Sequence, residues 1–291
     1  NEVLTYSFIH GDVLTKVGQE TQNSYRIINS ISPDLQYYRQ SLTPSLINLV
    51  HSNIKQGYDN FAIYEFNKVH QKQDGLNEEG VPIERNLLAL TMANSKREGS
   101  AYYQAKYILK YLFEVLGYKV RYEAIDSINS PEFAPFEYRR SARIIEKKTG
   151  ATIGVVGEYK KSVYKGFKLP NYAAGFEINA DTLFVNTRGL GSSYTAVNRY
   201  PVMERDICFK VGGEISYGQI VDILDGDLKD IYLDAEIIPV DIYQPKDSTQ
   251  KNITVRIKLA ARDHTLTSEE VNSITSKISE SVIAKTDAVV I

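Results

Sequence analysis

Side chains able to do covalent or acid–base chemistry are sparse in this chain and poorly placed for it. Its four histidines, His10, His51, His70 and His264, are scattered, and no pair has zinc-ligand spacing; each reads as a surface or turn histidine. The one cysteine, Cys208, can supply neither a disulfide framework nor a cysteine-based zinc site, and suits a reducing compartment. No Ser-His-Asp order and no Walker-type phosphate loop occurs, and Gly189 and Gly191 read as linker glycines. Catalytic and metal sites are therefore expected to be absent, which leaves binding chemistry. Lys251, Arg256, Lys258 and Arg262 lie along and just beyond one predicted strand, the best local source of phosphate contacts. Charges on one strand face are, however, usually just solvated.

The 291 residues allow one large or two ordinary domains, and 43% hydrophobic content allows a proper core. A formal charge of −2 provides no global field toward nucleic acid. Residues 195–291 carry 11 Lys+Arg against 16 Asp+Glu, a balance of −5, so any RNA contact there must be local. No apolar run approaches 18 residues and no signal-like leader opens the chain, so a cytoplasmic protein without a membrane span is expected. Asn1 leads at once into a predicted strand, Glu2–Phe8, which reads as the start of a fragment of a longer protein.

The elements that must position these side chains follow from periodicity. Turn chemistry at 28–34 leads to a helix with Thr43 as N-cap and Pro44 at its first position. Leu46, Ile47, Leu49, Val50 and Ile54 form its stripe, and Gly57 ends it. Phe61–Phe66 reads as a strand buried on much of both faces, and Asn86–Met92 as another beyond a polar hinge from His70 to Gly80. The spacing predicts a helix over Ala101–Leu116 with Tyr103, Tyr107, Leu112 and Leu116 as its stripe. Further strands are expected at 119–124, 141–145, 152–156 and from Tyr172 into a turn by Phe184, giving a mostly antiparallel α+β unit. The last third reads as strand 204–211, a helix opened by the capping box Ser216/Gln219, strands 231–243 and 252–261, a helix opened by Thr267/Glu270, and a strand at 287–291. That order, β-α-β-β-α-β, is the split ferredoxin-like motif. Arg205-Asp206 reads as an ion pair at the start of its first strand.

Four stretches in this third, in order, carry a resemblance: Arg199-Tyr-Pro-Val-Met-Glu-Arg-Asp-Ile207, Val240-Asp-Ile-Tyr243, the strand from Asn252, and His264-Thr-Leu-Thr-Ser-Glu-Glu-Val271. They resemble the anticodon-binding module at the C-terminus of the bacterial phenylalanyl-tRNA synthetase β subunit. The first part is similar to that family's catalytic-like region through Glu2-Val-Leu-Thr-Tyr-Ser-Phe8, Ile31-Ser32 with Arg39-Gln-Ser-Leu42, Phe61-Ala-Ile-Tyr-Glu65, Tyr138-Arg-Arg-Ser-Ala-Arg-Ile144 and Ile153-Gly-Val-Val-Gly157. The resemblance implies an antiparallel-sheet, class II synthetase-like domain over 1–193 and a ferredoxin-fold anticodon-binding domain over 194–291.

Aminoacylation requires cations on the phosphates of ATP as charge builds on the leaving pyrophosphate. The family's working subunits use arginines that have no counterpart here, neither before Glu65 nor after Gly189-Leu-Gly191, so the first domain is expected to be a scaffold. The resemblance implies ATP and Mg for the whole enzyme and no cofactor in this fragment. It also implies an α-subunit partner, an (αβ)2 heterotetramer and binding of tRNA(Phe). The stripes of helices 43–56 and 101–116 could meet the α subunit but fit an ordinary core, which is the preferred reading. Anticodon contacts are implied at Asp241, Tyr243 and Asn252 and near Cys208, where an aromatic ring can stack on a base and Asp or Asn can hydrogen-bond its edge. Lys251 and Arg256 are expected to face phosphates. The alternative reading is a stand-alone scaffold or regulatory module that has lost RNA binding; catalysis by this chain alone is a third.

Overall fold

Alternating strand patterns and amphipathic helices build two units, Asn1–Ser193 and Tyr194–Ile291, each with its own core. The computed structural model describes residues 1–32, 34–126, 130–187, 197–229, 231, 233–246 and 248–291. Gly189, Gly191 and the expected boundary at 193/194 lie outside the described residues, as do position 33 of the predicted turn and positions 230 and 232 near the strand expected from Ile231.

The first unit runs β1 (Phe8–Ile9), α1 (Gly11–Lys16), β2 (Tyr37–Tyr38), α2 (Thr43–Lys55), β3 (Asn60–His70), β4 (Glu84–Asn94), α3 (Tyr102–Val115), β5 (Val120–Ala124), β6 (Phe136–Glu146), β7 (Thr152–Tyr159), α4 (Lys161–Phe167), β8 (Tyr172–Asn179) and α5 (Ala180–Thr187). Six of these strands form one antiparallel sheet, ordered β3-β4-β8-β7-β6-β5. Met92, Val156 and Ala174 meet Ala105, Leu109 and Phe113 of α3 on one face. Ile63, Leu87 and Ala89 meet Leu46 of α2 and Leu42, the residue before it, on the other. The Gly154 and Gly157 positions of β7 are glycine because a Cβ at either would overlap the backbone of β8 or Ser141.

Several local expectations are corrected. The opening segment pairs through a bridge at Glu2 and then only over Phe8–Ile9. In β3, Tyr64 and Phe66 are exposed, so that strand buries one face rather than both. Residues 180–187 are a helix, not the end of a strand and turn. The tyrosine stripe of α3 points outward: Tyr103 and Tyr107 are 72% and 71% exposed, while Ala105, Leu109 and Phe113 are buried. Tyrosines satisfy helical spacing, but Ala105 and Leu109, two positions on from them, and Phe113 face the sheet.

Thr43 is the first residue of α2, and neither α2 nor α3 has a cap of its own. Buried carboxylates on neighbouring strands do that work. Glu177 of β8 accepts the Leu42 and Thr43 amides at 2.7 and 3.0 Å and the Thr43 hydroxyl. Glu158 of β7 accepts the Ser100 hydroxyl at 2.6 Å and the Ala101 amide at 2.8 Å. Both satisfy helix-start amides that would otherwise be orphaned. A third buried acid, Glu65, pairs at 3.0 Å with Arg39, whose Nη1 also donates to Thr5.

The second unit runs β9 (Met203–Gly212), α6 (Tyr217–Lys229), β10 (Asp234–Tyr243), β11 (Gln250–Ala260), α7 (Ser268–Thr286) and β12 (Val289–Val290). Its antiparallel sheet has the order β10-β11-β9-β12, so β11 lies between the two strands joined through α6, as in the split βαβ arrangement. Ile207, Phe209, Val211, Ile253, Val255, Ile257 and Leu259 pack against Ile220, Leu224, Val271, Ile278 and Val282 of the two helices. Both expected capping boxes form, Thr267 with Glu270 and Ser216 with Gln219.

Candidate nucleic-acid interface

With its helices packed on one side, the sheet of the second unit leaves the other side open, and strand register decides which residues reach it. Residues directly opposite on paired strands share a face. On β9 the alternation that buries Ile207, Phe209 and Val211 turns Asp206, Cys208 and Lys210 outward. On β11 it turns Asn252, Thr254, Arg256 and Lys258 outward.

A bulge sets the face of β10. Ile238 opposes Arg256 and Pro239 opposes Val255, but the next pair is Asp241 with Thr254, leaving Val240 as an extra residue. Such a bulge inverts the alternation beyond it. Asp241 and Tyr243 therefore join Ile238 on the open side; in an unbroken strand they would face the helices. Pro239 is tolerated because β10 is an edge strand, where a missing amide disrupts no inner ladder.

The open face thus has two halves. In the first, Tyr243 opposes Asn252, which opposes Lys210, and Asp241 opposes Thr254, which opposes Cys208. Tyr243 is 58% exposed. In the second half the charges compensate one another. Arg256 binds Asp206 through two bonds of 2.7 and 2.9 Å, and Lys258 lies 3.5 Å from Glu204 and 3.8 Å from Glu236. The Arg256 guanidinium holds the Asp206 carboxyl below its ordinary range.

Four of the sequence-derived candidates, Asp241, Tyr243, Asn252 and Cys208, meet on one half of this face. Arg256 lies on the face but is engaged by Asp206. Lys251 opposes Val211, on the helix side, and its ammonium donates to the Gly213 carbonyl at 2.7 Å. Arg205 and Asp206 do not pair with each other: adjacent residues point to opposite faces, and Asp206 takes Arg256 instead. Thr254 and Lys210 complete the cluster and were not among the candidates. Their positions two residues from Asn252 and from Cys208 were the available signal.

The first unit has a cleft of about 220 Å³ over β4, β7 and β8, lined by Arg85, Glu132, Thr152, Gly154, Glu177 and Asn179 among others. Two carboxylates line it, and Arg85, the one cation among the described lining residues, is ion-paired with Asp74. Burial pushes the Glu177 carboxyl up to about 7, with the charge of Glu132 adding to the effect.

The fold and this face define an α+β chain of two modules that ends in a ferredoxin-like unit. A family profile described as phenylalanyl tRNA synthetase beta chain CLM domain matches residues 1–180, and one described as ferredoxin-fold anticodon binding domain matches 198–290. The chain belongs to the phenylalanyl-tRNA synthetase β-chain family. Relatives called phenylalanine–tRNA ligase beta subunit include those of Carboxydothermus hydrogenoformans, 27% identical, and Syntrophotalea carbinolica, 25% identical. Each alignment covers 99% of this chain and 36% of the relative, so the chain spans about a third of the length of these proteins. Among solved structures, a pyrrolysyl-tRNA synthetase of Desulfitobacterium hafniense superposes with a TM-score of 0.48 at 13% identity, over 68% of this chain and 65% of that one.

Proposed function

We propose that this chain is the C-terminal part of the β subunit of a phenylalanine–tRNA ligase and that its second unit binds the anticodon region of tRNA(Phe). The observation that carries this reading is the meeting of Tyr243, Asn252, Asp241 and Cys208 on one uncovered sheet face. There a ring can stack on an unpaired base while a carboxylate and an amide hydrogen-bond its edge. Residues 1–193 serve as a class II-like body without catalysis of its own, supporting an α subunit in an (αβ)2 assembly in the cytoplasm. ATP and Mg act in that assembly through the α subunit. Among the described residues, no helix is long and apolar enough to cross a membrane.

A second reading, a scaffold that has lost RNA binding, draws support from the −5 balance of 195–291 and from the carboxylates that occupy Arg256 and Lys258. Filter binding of tRNA(Phe) across a salt series, with and without the α subunit, separates the two. Retention of tRNA supports the first reading. Absence of binding under both conditions, with α captured normally, favours the second.

A further inference from the structure

We infer that Lys210 neutralises the backbone phosphate of the nucleotide held on the open face of the second unit, an inference that rests on the RNA-binding reading above. Among the described residues, the strands of this face turn three cations outward. Arg256 is consumed by Asp206, and Lys258 sits between Glu204 and Glu236. Lys210 is exposed and makes no ion pair with a described residue.

Register places it where a phosphate must pass. Lys210 shares its row with Asn252 and Tyr243, and its other neighbour, Val289 of β12, is apolar. Two strand spacings separate it from Tyr243, about 10 Å. A base stacked on that ring and bonded by Asn252 leaves its ribose–phosphate between the two, within range of a flexible four-carbon stem. The same face carries the Asp241 carboxylate, which would repel a phosphate left uncompensated. In a module with five more acids than bases, one free lysine at this position supplies the local contact that the overall charge does not.

The test uses the full chain and an RNA hairpin carrying the anticodon loop of tRNA(Phe), with affinity measured across a salt series. Removing one phosphate contact lowers the salt slope by about 0.7 for single-stranded RNA, equivalent to about a fivefold loss at 0.1 M salt. Lys210→Gln is expected to show both changes and Lys210→Arg to restore them. Lys277→Gln, on the helix side, should leave the slope unaltered. Tyr243→Ala should weaken binding at an unchanged slope, because stacking releases no counterions. If the wild type binds and Lys210→Gln keeps its slope, the assignment of Lys210 fails while the RNA-binding reading survives. If the wild type does not bind, both fall together.

Discussion

Glu177 offers a quantitative test of how the first unit is held together. Its carboxyl is fully buried and receives two backbone amides and a hydroxyl from the start of α2. Burial, with Glu132 nearby, raises its pKa to about 7 from an ordinary 4.5. The native state therefore binds a proton more tightly than the unfolded chain does. The resulting stability is fully present below the unfolded pKa and declines as pH rises through the folded one. At 1.36 kcal/mol per pKa unit the amplitude is about 3 kcal/mol. Glu177→Gln mimics the protonated acid and cannot titrate. Urea unfolding of both proteins at about pH 4 and about pH 8 isolates the effect, since all other titrating groups cancel in the difference. The stability advantage of wild type over Glu177→Gln should shrink by about 3 kcal/mol from the acidic to the alkaline condition. A constant difference, or one that grows with pH, would refute the reasoning and mean that the helix amides keep Glu177 ionised.

Three further outcomes are expected. Tyr243→Ala should cost the anticodon hairpin about 1–3 kcal/mol of binding while leaving the thermal midpoint of the second unit unchanged, as measured by titration and by circular dichroism. Deleting Val240, the unpaired residue of the bulge, makes β10 regular while keeping Asp241 opposite Thr254 and Tyr243 opposite Asn252, so both stay on the open face. RNA affinity and far-UV dichroism should both be retained, and a loss as large as that of Tyr243→Ala would show that register alone does not place these residues. Arg39→Met leaves Glu65 buried without its ion pair and should destabilise the first unit by about 3–5 kcal/mol in urea titrations, largely relieved by adding Glu65→Gln.

How much of this could be read from the residues depended on how local each determinant is. The capping boxes at Ser216/Gln219 and Thr267/Glu270 were legible because both partners lie within one helical turn. The ferredoxin-like order was legible because its strands alternate cleanly. The caps of α2 and α3 were not: Glu177 stands 134 residues from Thr43 and Glu158 57 from Ala101, and no local pattern links them. The fate of Arg256 was hidden for the same reason, since only the β9–β11 register reveals its partner. The inward face of α3 was misjudged because tyrosines at helical spacing resemble a core stripe in one dimension. Asp241 and Tyr243 came from the family pattern, whereas the bulge that turns them outward is a property of pairing with β11.

The use of Glu177 and Glu158 as remote caps has a dynamic consequence. The opening amides of a helix ordinarily fray first and exchange their hydrogens with water fastest. Here those of Leu42, Thr43 and Ala101 end on carboxylates rooted in two central, adjacent strands, one serving each side of the sheet. Their release requires the middle of the sheet to give way, so these helix ends should stay protected on the timescale of global opening, and both helical layers should come loose in one cooperative step.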